Sequence, residues 1–165
     1  MRLKKGFTLI ELLVVISIIG MLTALIMVNF NAARERARDV QRKSDMDQIK
    51  KALRMYYNDY DGYPEHDADG SDNILGCGTE GTAPCSWDGD WTAGSANMVY
   101  MKILPNDPLA PDQRYRYQVR AVDQDFCLWA ELENRSDGDI ADSKAHCSSV
   151  CSFGADEYVY VVCAD

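Results

Sequence analysis

The chain has 165 residues, 17 basic against 26 acidic, a formal net charge of −9 and six cysteines. That length suits one domain plus an anchor. The acidic balance excludes a nucleic-acid surface, which needs a basic patch.

The first element is an apolar run from Phe7 to Phe30, preceded by Arg2, Lys4 and Lys5. Its length, about 24 residues or roughly 36 Å of helix, is enough to cross a bilayer. Glu11 is its only charge. A carboxylate inside such a segment costs roughly 2.5–3.5 kcal/mol in lipid, so it needs a partner. A secretory signal peptide would have a shorter core and a small-x-small cleavage site, of which Asn31-Ala32-Ala33 is a poor version. By charge count, Arg34, Arg36, Arg38, Arg42 and Lys43 would hold the C-terminal side in the cytoplasm. The cysteines, all in the second half of the chain, argue for an oxidising, extracytoplasmic side. That reading is adopted, because Glu35, Asp39, Asp45 and Asp47 interleave with the basic residues.

The stretch Lys4-Lys5-Gly6-Phe7-Thr8-Leu9-Ile10-Glu11-Leu12-Leu13-Val14-Val15 resembles the processing signal of the type IV pilin and pseudopilin superfamily. The resemblance implies cleavage between Gly6 and Phe7 by a prepilin peptidase, and N-methylation of Phe7. It also implies that Glu11 pairs with the new amine on Phe7 of a neighbouring subunit. Breaking a buried ion pair costs about 3–5 kcal/mol, so such a pair favours one assembly register. The implied partners are copies of the chain in a helical homopolymer, minor pilins or pseudopilins, the inner-membrane assembly platform, and the lipid bilayer before assembly. The implied location is a single-pass inner-membrane precursor with an extracytoplasmic head, then a periplasmic pseudopilus or a cell-surface pilus. The chain departs from many members at Val28, where they carry proline; Gly20 remains a milder weak point.

From Ala32 to Tyr60, helical spacing places Ala33, Ala37, Val40, Ile49, Leu53, Tyr56 and Tyr60 on one face, with Ala52 and Tyr57 alongside. The opposite face carries Arg34, Glu35, Arg38, Arg42, Asp45, Lys50 and Lys51, and reads as solvated. Asp61-Gly62-Tyr63-Pro64 ends the helix, with Gly62 expected in the left-handed conformation. This corner is similar to the helix end of the major pseudopilin of type II secretion.

Glu65–Asn97 reads as a long loop that Cys77 and Cys85 can close locally, with Trp87 and Trp91 as plugs over the core. Asp67-Ala68-Asp69-Gly70-Ser71-Asp72 resembles half a calcium loop, against a solvated acidic turn. Met98–Leu104 is a short apolar piece, followed by a turn at Pro105-Asn106-Asp107-Pro108. Arg114–Ala121 alternates strictly, with Tyr115, Tyr117, Val119 and Ala121 on one face, and predicts a half-buried strand. The Leu-Pro-x-Asp-Pro turn followed by Tyr-x-Tyr is again similar to the major pseudopilin.

Phe126–Leu132 and Glu157–Cys163 predict two further strands. Folded as a hairpin, they set Cys127 facing Cys163 and Leu128 opposite Val162. The expected disulfides are Cys127–Cys163, Cys147–Cys151 and Cys77–Cys85, among the many pairings that six cysteines allow. The intervening Asn134–Ser143 reads as an acidic turn. There the resemblance implies a calcium site, with Asp137, Asp139 and Asp142 as candidate ligands, or disulfides stapling in its place. No other cofactor is expected.

These readings predict an α+β, pilin-like fold: a long N-terminal helix packed, ladle-fashion, on a small antiparallel sheet. Its parts are a leader (1–6), an assembly and membrane helix (7–30), an amphipathic half (31–62) and a disulfide-stapled head (63–165). The function implied is that of a structural filament subunit, the alternative being a monomeric membrane-anchored binding domain. His66 and His146 are the only histidines, and GxSxG, phosphate-loop and HExxH patterns are absent, so no enzyme is expected.

Overall fold

The computed structural model describes residues 6–67, 72–120, 124–153 and 157–164, with backbone alone at 25–29. The chain divides into two compact units, Met1–Ala37 and Arg38–Asp165. The leader cations Arg2, Lys4 and Lys5, the centre of the Asp67–Asp72 segment, Ala121 and the side chain of Val28 lie outside the described residues.

Helix α1 runs unbroken from Leu9 to Tyr60, through Gly20 and through Val28. Over its first turns the side chains are exposed and mostly apolar, as at Leu9, Ile10, Leu12, Leu13, Ile16, Ile18, Ile19 and Leu22. The hydroxyls of Ser17 and Thr23 donate back to the carbonyls of Val14 and Ile19, both at 2.8 Å, so neither polar group is left unpaired on this apolar surface. Among the described residues no helix is long and apolar enough to cross a membrane; the expected run to Phe30 passes through 25–29, whose side chains lie outside the described residues.

The second unit begins inside α1. The buried stripe there is Asp39, Arg42, Asp45, Met46, Ile49, Ala52, Leu53 and Tyr56. This corrects the expected faces. Val40 is 66% exposed and Tyr60 41%, whereas Arg42 and Asp45, expected in solvent, are interior. The apolar spacing holds from Met46 onward, and one turn earlier the same stripe turns ionic. At the helix end the left-handed residue is Asp61, at φ 54°, and not Gly62; its N–H donates to the Tyr57 carbonyl at 2.8 Å. An aspartate tolerates this conformation better than most side chains.

Two small hairpins follow: β1 (Glu65–His66) pairs with β2 (Ile74–Leu75), and β3 (Trp91–Ala93) with β4 (Met98–Met101). The main sheet is antiparallel, β5 (Arg116–Arg120), β6 (Asp125–Glu131) and β7 (Val159–Cys163), with β6 central. Its register sets Cys127 opposite Cys163 and Leu128 opposite Val162, as the hairpin reading expected. Tyr117, Phe126, Leu128, Ala130 and Val162 join the α1 stripe in one core, which also holds Ile74, Trp91, Tyr100 and Leu104. Trp91 is fully buried, its Nε1 donating to the Gly76 carbonyl at 2.9 Å; Trp87 is half-buried and donates to Asn73.

Alternation sends Cys127, Val159, Val161 and Cys163 to the other face, where a second cluster forms with Cys147, Val150 and Cys151. Helix α2 (Gly138–His146) begins within the stretch expected to be an acidic turn and runs past its end at Ser143. Asp137 caps α2, and Lys144 and His146 occupy its last turn, where positive charge suits the helix dipole.

The disulfides are Cys77–Cys85, Cys127–Cys151 and Cys147–Cys163. The first matches expectation; the other two correct the expected Cys127–Cys163 and Cys147–Cys151. Cys127 and Cys163 are cross-strand neighbours with side chains on one face. Cys147 and Cys151 lie one helical turn apart, the Cys151 N–H donating to the Cys147 carbonyl at 2.8 Å. That turn lies over the strand pair, so each of its sulfurs meets a different strand. Peptide mapping without reduction is expected to recover Cys127 linked to Cys151 and Cys147 linked to Cys163.

Candidate functional site

Two places carry the chemistry, one in each unit. In the first, Gly6, Phe7 and Thr8 form a non-helical lead-in to α1, and an added Cβ at Gly6 would meet nothing within 4 Å. Thr8 is the N-cap. Its N–H and Oγ1 donate to Glu11 Oε2 at 2.8 and 2.6 Å, and its Oγ1 accepts from the Glu11 N–H at 3.3 Å. This reciprocal arrangement is a capping box, and it places the carboxylate at the positive end of the helix. Phe7, Ile10, Glu11, Val14 and Val15 line one shallow depression of about 350 Å³. Glu11 is therefore an exposed anion set among apolar side chains, held by its own cap and open to an incoming cation.

In the second unit the centre is Arg42, which is fully buried. A guanidinium has N–H groups on three nitrogens, and all of them are used here. Nε donates to Asp107 (2.8 Å); Nη1 to Asp39 (2.7 Å) and Glu133 (2.8 Å); Nη2 to Asp107 (3.1 Å) and Gln113 (2.9 Å). Burial works against the charge, but the bonds to Asp107 and Glu133 outweigh it, and Arg42 is held above its ordinary value. Asp107 also accepts from the Leu109 N–H at 2.8 Å. Glu133 accepts a two-pronged pair from Arg38, which with Arg42 holds it below the usual carboxylate range. Asp39 accepts from the backbone N–H groups of Glu133 (3.0 Å) and Asn134 (2.8 Å). Deeper in the core, Asp45 accepts from the Tyr115 hydroxyl at 2.8 Å, and burial pushes that carboxyl up. Among the described residues no buried side-chain nitrogen or oxygen lacks a partner.

Three sets of relatives place the chain. Residues 1–27 match the family described as the prokaryotic N-terminal methylation motif. The type II secretion system core protein G of Aeromonas hydrophila is 35% identical over 147 residues, covering 84% of this chain and 92% of that protein. The chain belongs to the type II secretion core protein G family. Core protein G of Pseudomonas aeruginosa is 32% identical over 114 residues, 69% of this chain and 74% of that one. The type IV wide pilus major component PilA4 of Thermus thermophilus is 44% identical over 68 residues, 41% of this chain and 52% of that one. No solved structure gives a significant match.

Within this core protein G family chain, the Leu-Pro-x-Asp-Pro motif has a physical reading. Leu104 plugs the core and Asp107 meets Arg42. Sequence reasoning passed over Asp107, Arg42 and Thr8 as site residues. Two signals were available: Thr8 and Glu11 have capping-box spacing, and Asp39 and Arg42 extend the Met46–Ile49–Leu53 stripe in phase.

The candidate calcium ligands part company. Asp137 and Asp139 converge on Lys43 Nζ at 2.8 and 2.7 Å, while Asp142 is exposed on α2 and makes no contact with that ammonium, though it lines a surface hollow together with Asp139, Asp47 and His146. Asp137 also accepts from the Asp139 N–H at 3.0 Å as the α2 cap. Calcium takes 6–8 oxygens, and these carboxylates, already shared between an ammonium and a cap, do not fit such a cage. Among the described residues no group of three or more His, Cys, Asp or Glu is placed to hold a metal ion.

Two predictions follow from the Arg42 network. Arg42→Met strands the buried carboxylates, and is expected to destabilise the head by about 3–5 kcal/mol in urea unfolding of the full chain in detergent. Glu133 and Asp137 are both depressed on folding, Glu133 chiefly by Arg38 and Asp137 chiefly by Lys43. Their contribution is complete above the ordinary carboxylate range and is lost as pH falls through the depressed values. Asp45, raised by burial, acts with the opposite sign and only above that window. The melting temperature is therefore expected to drop below about pH 4, and to drop less steeply in a Glu133→Gln, Asp137→Asn double variant.

Proposed function

We propose that the chain is a structural subunit of a type II secretion pseudopilus, processed between Gly6 and Phe7, N-methylated at Phe7 and polymerised through α1. The observation that carries this reading is Glu11, a lone carboxylate among exposed apolar side chains four residues beyond an open Gly6–Phe7 junction. An apolar helix exposed on all sides has two physical fates: burial in lipid, and burial against other such helices. The first suits a precursor held in the inner membrane with its head outside the cytoplasm. The second suits a filament of copies, with minor subunits and the assembly platform as further partners and prepilin peptidase acting on residues 1–6.

In this scheme cleavage creates an amine at Phe7 of one subunit, and the Glu11 carboxylate of another neutralises it. The Thr8 cap holds Glu11 until that exchange. Segments 7–30 and 31–62 serve as assembly helix and shaft, and 63–165 as the displayed head, which also recruits the helix from Arg38 onward. The match to core protein G over most of the chain supports a pseudopilus over a surface pilus. Nothing in this role calls for catalysis.

The test is Glu11→Ala expressed in cells that assemble the filament. Cleavage and membrane insertion are expected to persist. Filament yield should fall roughly tenfold or more, since an unpaired buried amine costs about 3–5 kcal/mol. Normal filaments from this variant would sink the proposal, and a monomeric anchored domain would then be the better reading. Wild-type chain retained in the envelope after shearing supports a pseudopilus; recovery in the sheared fraction would point to a pilus.

A further inference from the structure

The family resemblance implies a divalent cation in the loop that leaves the central strand of the sheet. In this chain that loop meets protein cations instead. Arg38, Arg42 and Lys43 come from adjacent turns of α1, all within the second unit. Arg38 and Arg42 hold Glu133, at the start of the loop. Asp39, between them, takes the backbone N–H groups of Glu133 and Asn134. Lys43 closes the far end, its ammonium bridging Asp137 and Asp139.

We propose that Lys43 is the resident cation of this loop, standing in the place of calcium, so that the head orders its β6–α2 segment without metal. The geometry is that of a bridging cation. One Nζ lies 2.8 Å from Asp137 Oδ2 and 2.7 Å from Asp139 Oδ2, joining the α2 cap residue to the first turn of α2. The ammonium also lies 5.7 Å from the centre of the Tyr160 ring on β7, within cation–π range. Helix α1, α2 and the central sheet thus meet at one ammonium. Lys43 and Asp137 are each 19% exposed at the side chain, so salt screens that contact less than it would a surface pair, whereas Asp139 is 61% exposed.

A lysine and a calcium ion differ in ways that matter here. The ammonium offers three donors and a single charge, and it is covalently part of α1. It needs only the two carboxylates present, where calcium needs several more oxygens. It cannot be lost to dilution or to a chelator. The two disulfides beneath α2 fix the other end of the same segment, so metal is not required there either. The inference concerns the head alone and holds whether the filament is a pseudopilus or a pilus.

The experiment uses the full chain in detergent, with melting followed by tryptophan fluorescence. The wild-type melting temperature is expected to be the same, within about 1 °C, in chelator and in about 1 mM calcium. Lys43→Met is expected to melt roughly 3–8 °C lower in chelator, and calcium is expected to restore little of that loss, since two carboxylates do not complete its shell. Terbium luminescence sensitised by the head's aromatic residues should show no saturable site in wild type. Calcium stabilisation of the wild type, a saturable terbium site in it, or a Lys43→Met that melts like wild type would each overturn the proposal. If Lys43→Met does not fold, the two wild-type measurements still decide it.

Discussion

The head depends on one desolvated charge. Arg42 sits where α1 faces the loops that follow β4 and β6, and each of its N–H groups has an acceptor in place. A guanidinium this deep is tolerated only if all its acceptors arrive together. That requirement couples three chain segments far apart in sequence: the helix through Asp39, the Leu-Pro-x-Asp-Pro turn through Asp107, and the loop after β6 through Glu133. An apolar residue at position 42 would accept many arrangements of those loops. An arginine accepts one, because any displacement leaves a buried carboxylate or N–H unpaired.

The same helix uses charge in opposite ways along its length. From Arg38 onward, ionic residues continue the buried stripe and are neutralised within the chain. In the apolar N-terminal part there is one charged side chain, Glu11, and its cap leaves it exposed to solvent. Buried pairs inside the head specify how one subunit folds. The lone carboxylate outside it is the one proposed to specify how subunits meet. Both rest on the same physical fact, that an unpaired charge in a low-dielectric setting is expensive.

Around the ionic centre, the cysteines and Lys43 fix the part of the head that apolar burial covers least. The second cluster is small and mostly cysteine, and α2 contributes only Ile140 to the buried set. Two disulfides and one bridged ammonium hold α2 and its flanking turns against the sheet. Covalent and ionic ties take the role that a larger apolar face plays on the α1 side.

Much of this was legible in the residues. Apolar continuity identifies the helix, and the Gly6–Phe7–Glu11 pattern marks the junction proposed for processing. Strict alternation sets the strands, and the hairpin register placing Cys127 opposite Cys163 follows from matching the two runs. Those features are local or depend on one pairing, so sequence spacing carries them. The disulfide partners, the acceptors that surround Arg42, the helix at Gly138–His146 and the placement of Lys43 between Asp137 and Asp139 do not show in spacing. Each depends on which segment lies over which face. A charged residue on a helix looks solvated until the acceptors brought in by distant loops are known, and two cysteines facing one another across strands remain unpaired if a third element sets its own sulfurs above them. The sequence by itself determined the helix and the pairing of the last two strands; stacking of the elements decided which charges and sulfurs meet, because those contacts join segments distant in the chain.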